Sequence, residues 1–101
     1  MDVHKGDIVL SLFGRDKGTA LFVIDIDGEF LVLADGKGRR LEHPKRKKQK
    51  HCQFLSREDC RVSEKLAAGD RVANIDVRRA LAVFRENAKN QSDDDGKTGG
   101  G

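Results

Sequence analysis

Tryptophan and tyrosine are missing from this sequence, and phenylalanine occurs only five times in 101 residues. Protein–protein hot spots draw heavily on Trp, Tyr and Arg, so two of the three usual anchors of a tight protein interface are absent. Two cysteines, Cys52 and Cys60, are too few for a disulfide framework. No apolar run approaches the length of a membrane-spanning helix. The polar start Met1-Asp2-Val3-His4-Lys5 has no apolar segment of the kind a secretory leader needs. These absences predict a cytoplasmic protein with reduced thiols and no membrane contact. A chain this short holds one small domain, burying roughly 60–65% of its unfolded surface, with little room for a deep cleft. It carries no nucleotide-binding loop and no evident acid–base constellation, so neither an enzyme nor a cofactor is expected.

Charge is abundant and unevenly placed. Lysine, arginine, aspartate and glutamate make up 37% of the chain. Lys37 to His51 carries eight Lys or Arg against one acid, Glu42, a local net of +7. Met1 to Gly36 carries three bases against seven acids, a net of −4. Positive charge focused on one segment is the electrostatic footprint of a polyanion partner.

Apolar runs come early and short, and glycine turns separate them. Ile8, Leu10 and Leu12 alternate within Asp7–Phe13. Ala20, Phe22, Ile24 and Ile26 alternate within Thr19–Ile26, and Phe30 and Val32 oppose Leu31 and Leu33. This period of two predicts strands. Asp27-Gly28 is a strong hairpin signal. Asp35-Gly36 predicts a further turn into a fourth strand around Gly38–His43, after which Pro44 opens a basic loop. A fifth strand is expected near Cys52–Leu55. Helical turns are predicted at Ser56–Asp59 and Ser63–Ala68, the second ended by Gly69. Val77, Ala80, Leu81, Phe84 and Ala88 form a helical stripe over 74–87, capped by Asn74 or Asp76. The polar segment 90–101 can bury nothing and reads as a disordered tail. Short strands in meander order suggest a small barrel.

The loop Lys5-Gly6-Asp7-Ile8-Val9, then Gly14-Arg15-Asp16-Lys17-Gly18, then an alternating strand, resembles a KOW motif. The continuation is more specific. Phe30-Leu31-Val32-Leu33-Ala34-Asp35-Gly36, Arg39-Arg40-Leu41, Pro44-Lys45-Arg46-Lys47-Lys48-Gln49-Lys50-His51 and the helix from Asn74 are similar to a group of small bacterial KOW-domain RNA-binding proteins, themselves similar to archaeal and eukaryotic large-subunit ribosomal proteins. The resemblance covers roughly 4–88. It departs at His51-Cys52-Gln53, where the group tends to carry an aliphatic residue between His and Gln. It implies a mainly β fold, an SH3-like small β-barrel over 1–56 including the basic loop. A helical extension, 57–89, would pack its C-terminal helix on that barrel. It also implies RNA binding on or near the ribosome.

The residues expected to contact RNA are Arg15, Lys17, Lys37, Arg39, Arg40, Lys45, Arg46, Lys47, Lys48, Lys50 and His51. Gly14, Asp16 and Gly18 are expected to shape the loop: the glycines admit positive φ, Asp16 bonds the loop backbone, and the loop's N–H groups face phosphate. Phosphate contacts dominate affinity at such sites. Phe22, Phe30 and Phe84 read as core, and Phe13, beside the Arg15 loop, as core or partly exposed in preference to a ring that stacks on a base; without a stacking platform, shape-based recognition of structured RNA is favoured, ribosomal RNA first. Arg78, Arg79 and Arg85 read first as a solvated helix face, with RNA or a protein partner as the alternatives. His43, His51, Cys52 and Cys60 are not spaced as zinc ligands, so no metal is expected. The expected partners are RNA and ribosomal proteins, with the chain itself a monomer. The alternative is a protein-interaction module docking on RNA polymerase or a ribosomal protein.

Overall fold

The computed structural model describes residues 3–88 with their side chains. In chain order it forms β1 (Ile8–Ser11), β2 (Ala20–Asp27), β3 (Phe30–Ala34), β4 (Lys45–Lys48), a 3₁₀ turn (Gln49–His51), β5 (Cys52–Ser56), α1 (Arg61–Ala68) and α2 (Asn74–Gly100). The side chains of 89–101, and with them the tail expected over 90–101, lie outside the described residues. The strands make one antiparallel sheet in the order β4-β3-β2-β1-β5. Both helices follow the sheet in sequence and pack on one of its faces.

Two apolar clusters hold the fold, one on each face. Val3, Val9, Leu21, Val23, Leu31, Leu33 and Cys52 fill the face away from the helices. On the other face Ile8, Ala20 and Phe22 meet Leu66 of α1 and Val77 and Leu81 of α2. β1 and β2 are therefore buried on both faces. The helical stripe packs as its period predicts through Val77 and Leu81, with Ala80 and Phe84 partly buried, while Ala88 is exposed.

The sheet is open, since β4 and β5 are its two edges, yet those edges lie close together. Five flat strands would hold their edge strands about 19 Å apart. Here only Gln49–His51 separates β4 from β5, and the Cys52 Sγ lies 3.6 Å from the Lys48 carbonyl. The sheet must curl strongly, and two register shifts accompany the curl. One falls between Val23 and Asp25 against β3, the other between Ile8 and Val9 against β5. A bulge bends its strand and raises local twist. It also inverts the faces beyond it. Phe22 and Ile24 face the helices, but Ile26 packs with Val23 on the opposite face. The sequence expectation of Ile26 beside Ile24 is thus overturned by one extra residue.

Three further expectations need correction. Residues 38–43 form turns and no strand. The Asp35 Oδ1 accepts from the N–H groups of Lys37 (2.9 Å) and Arg39 (2.8 Å), closing the chain locally instead of extending it. The basic run is not a loop, because Lys45–Lys48 is β4, paired Leu33↔Lys45 through Phe30↔Lys48. Ser56–Asp59 is not a helical turn either: β5 runs on to Ser56, which pairs with Ile8, and helix begins only at Arg61.

Candidate nucleic-acid interface

A strand divides its side chains between two faces, and β4 does so with four consecutive cations. Arg46 and Lys48 sit on the side of Val32 and Phe30. The Arg46 Nη2 is 2.9 Å from Asp27, and the Lys48 Nζ is 3.4 Å from Glu29. Both cations also lie over the Phe30 ring, at 5.0 and 6.0 Å. Phe30 is thus a half-buried platform for protein cations, and Phe22 alone of the expected core phenylalanines is fully buried. Lys45 and Lys47 fall on the side of Leu33 and Leu31. Lys47 is 9% exposed, and its ammonium donates to the Phe13 carbonyl at 2.5 Å. Its alkyl stem fills an apolar position while its charged head finds an acceptor. Lys47 is therefore a structural residue that holds the start of the Gly14–Gly18 loop.

Three other contacts converge on that loop. Arg39 binds Asp16 with two hydrogen bonds, at 3.4 and 3.2 Å. The His51 ring meets the Phe13 ring edge-on, with centroids 5.0 Å apart, and the Leu12 N–H donates to the His51 carbonyl at 3.0 Å. Within the loop, the N–H groups of Lys17, Gly18 and Thr19 donate to Gly14, Ser11 and Asp16 carbonyls. Those N–H groups are spent on the loop itself, contrary to the expectation that they face phosphate. Gly14 and Gly18 take φ of 84° and 85° as expected. The Asp16 carboxylate bonds Arg39 and not the loop backbone.

What the loop presents is Arg15 and Lys17, both exposed, and Phe13, which is 57% exposed and so not core. Lys37 and Lys50 are exposed and Lys45 half-buried, none with an ion pair among the described residues. Arg40 is paired with Glu42 at 3.1 Å. The Asn74 amide, first, and Arg40 also hold the Glu42 carboxyl below the usual carboxylate range. Of the eleven residues singled out for RNA contact, then, Arg39, Arg40, Arg46, Lys47, Lys48 and His51 already have protein partners. For Phe13 the sequence leaves core and partial exposure both open, because the strand pattern places it at an apolar position; β1 stops at Ser11, and the ring is exposed. Arg78, which the sequence reads first as solvated, lies against the Gly36 turn, a contact that no sequence signal marks.

Among the described residues no helix is long and apolar enough to cross a membrane, and no three His, Cys, Asp or Glu gather as metal ligands. Comparison with protein-family models finds none that matches the chain, and comparison with curated proteins finds no relative.

Proposed function

We propose that this chain is a non-catalytic, cytoplasmic RNA-binding module of the KOW type, an SH3-like curled sheet that meets ribosomal or other structured RNA. The observation that carries the reading is the immobilised loop. Lys47, Arg39 and His51 grip Phe13–Gly18 from three different segments, so the loop offers Arg15, Lys17 and an exposed Phe13 from a rigid mount. Ligand-ready loops gain affinity because little ordering entropy is lost on binding. The meander order, the loop between β1 and β2 and the 3₁₀ turn joining the edge strands support the fold half of the proposal. Lys37, Lys45 and Lys50 extend the cationic surface. Arg46 and Lys48 contribute less, because Asp27 and Glu29 offset their charge.

The test is binding to fragmented ribosomal RNA across a salt series. With roughly four to six phosphates neutralised, log K falls against log salt with a slope of about −3 to −5. Arg15→Ala with Lys17→Ala weakens binding more than Arg46→Ala with Lys48→Ala. Indifference to RNA in dilute buffer defeats the proposal.

A second reading, docking on a protein, draws on a different observation. Between α1 and α2 lies a groove of about 360 Å³ into which Val83 is 58% exposed, with Arg61, Lys65 and Arg79 around it. Val83→Glu separates the readings, since it spares RNA binding and abolishes protein capture only under the second.

A further inference from the structure

The connection between β3 and β4 is pinned to the start of α2 at three points. At Gly36, φ is 78° and an added Cβ would stand 2.3 Å from the Asn74 carbonyl oxygen and 2.9 Å from the Arg78 Cγ. The Asn74 Oδ1 accepts from the Leu41 N–H at 2.8 Å, and its amide donates to Glu42 at 2.5 Å. Asn74 therefore does not cap its helix, as the sequence suggests, but clamps the connection. Between the pinned turn and the helix runs a groove of about 300 Å³ lined by four cations, Lys37, Arg78, Arg79 and Arg85. Ile75 and Ala82 provide its apolar lining, and Asp35 is its one acid. The Asp35 Oδ1 already takes the N–H groups of Lys37 and Arg39. None of the four cations has an ion pair among the described residues.

We propose that this groove is a second phosphate site, which takes the sugar–phosphate backbone of the same RNA with Arg78 and Arg85 as anchors and Lys37 opposite them. The proposal rests on the RNA-binding reading above. Arg78 and Arg85 are seven residues apart, which places them on one helix face about 10.5 Å apart along the axis. That spacing is wider than a single phosphate bridges, so the groove suits a stretch of backbone. Guanidinium groups grip phosphate oxygens with paired hydrogen bonds. The walls are built before the ligand arrives, because the turn cannot move away from α2 without leaving the Asn74 contacts. Continuity with the Gly14–Gly18 loop runs through one residue. Arg39, two positions from Lys37, is bonded to Asp16.

The test measures binding of end-labelled ribosomal RNA fragments by anisotropy across a salt series, with folding checked by thermal melts. Arg78→Ala with Arg85→Ala is the diagnostic variant, and Arg61→Ala with Arg71→Ala removes equal charge elsewhere. Two lost phosphate contacts flatten the log–log salt slope by about 2, with affinity falling about tenfold or more at low salt. The matched control leaves the slope within error of wild type, and Arg78→Lys with Arg85→Lys recovers most of it. An unchanged slope in the diagnostic variant overturns the proposal and leaves an acidic protein surface as the occupant the charge suits. Equal loss in the control overturns it too, as a net-charge effect. Failure of the wild-type protein to bind at all is a separate result, which defeats the parent reading.

Discussion

Asp16 and Arg39, 23 positions apart in sequence, meet carboxylate to guanidinium with Oδ2 and Nη2 3.2 Å apart, the Asp side chain 16% and the Arg 32% exposed. The pair couples the loop between β1 and β2 to the turn after β3, two segments that no strand pairing joins. Four predictions rest on this and neighbouring contacts, and a fifth on the buried thiol.

The first is energetic coupling between the two. Asp16→Ala and Arg39→Ala each lower stability by about 1 kcal/mol, the scale for a half-exposed charge-assisted bond. The double variant loses less than the sum, with a coupling of roughly 0.5–1 kcal/mol. Urea denaturation of the four proteins measures it, and strict additivity refutes the pairing.

Neighbours in the basic run should behave oppositely. Lys47→Ala costs about 1–3 kcal/mol, because it empties a buried position and strips the Phe13 carbonyl of its donor. Arg46→Ala, on an exposed pair, stays within about 1 kcal/mol. Equal midpoints in a denaturant titration would contradict the division of β4 between two faces.

Within one turn, Gly36 and Gly38 should differ as sharply. Gly36→Ala forces a side chain into left-handed backbone and against the Asn74 carbonyl, and should cost more than about 2 kcal/mol. An added Cβ at Gly38 meets only the Asp35 Oδ2, at 3.9 Å, so Gly38→Ala stays within about 0.5 kcal/mol. Thermal melts of the two variants decide the point.

Phe13 is exposed, so its removal should spare the fold and weaken RNA binding. Phe13→Ala is expected to cost about 1–3 kcal/mol of affinity if a base stacks there, and Phe13→Leu no less. Unchanged affinity would reduce the role of this residue to its contacts within the protein, the carbonyl that holds Lys47 and the ring that meets His51.

Burial pushes the Cys52 thiol up, against a smaller opposing effect of Lys47. The folded protein therefore holds that proton more tightly than the unfolded chain. The associated stability is complete below the ordinary thiol range, about pH 8.5, and is lost as pH rises beyond it. Cys52→Ala removes this alkaline loss, measurable as a flatter melting temperature from pH 7 to 10. Iodoacetamide should modify the half-buried Cys60 in the native protein and Cys52 only after unfolding.

The hairpin at Asp27-Gly28, the strands either side of it and the α2 stripe were legible because alternation and helical period report burial directly. β4 was not legible, because Lys45–Lys48 has no apolar residue to alternate. Its inward position is filled by a lysine stem, which a hydrophobicity pattern scores as surface. Ile26 was misplaced for a related reason: a bulge at Ile24 changes faces without changing composition. The Arg15–Lys17 loop could be read from its glycines and charges. The groove beside α2 could not, because it requires knowing that Gly36 lies against Asn74, 38 positions later.

The three residues Gln49–His51 act on the sheet as a latch. Opposite edges of five strands are fastened by a strap shorter than the flat sheet is wide, so the curl is enforced covalently as well as by packing. Glycines inserted between Lys50 and His51 would lengthen the strap and let the β4 and β5 margins drift apart. The grip of Lys47 and His51 on Phe13 would then loosen from both sides at once.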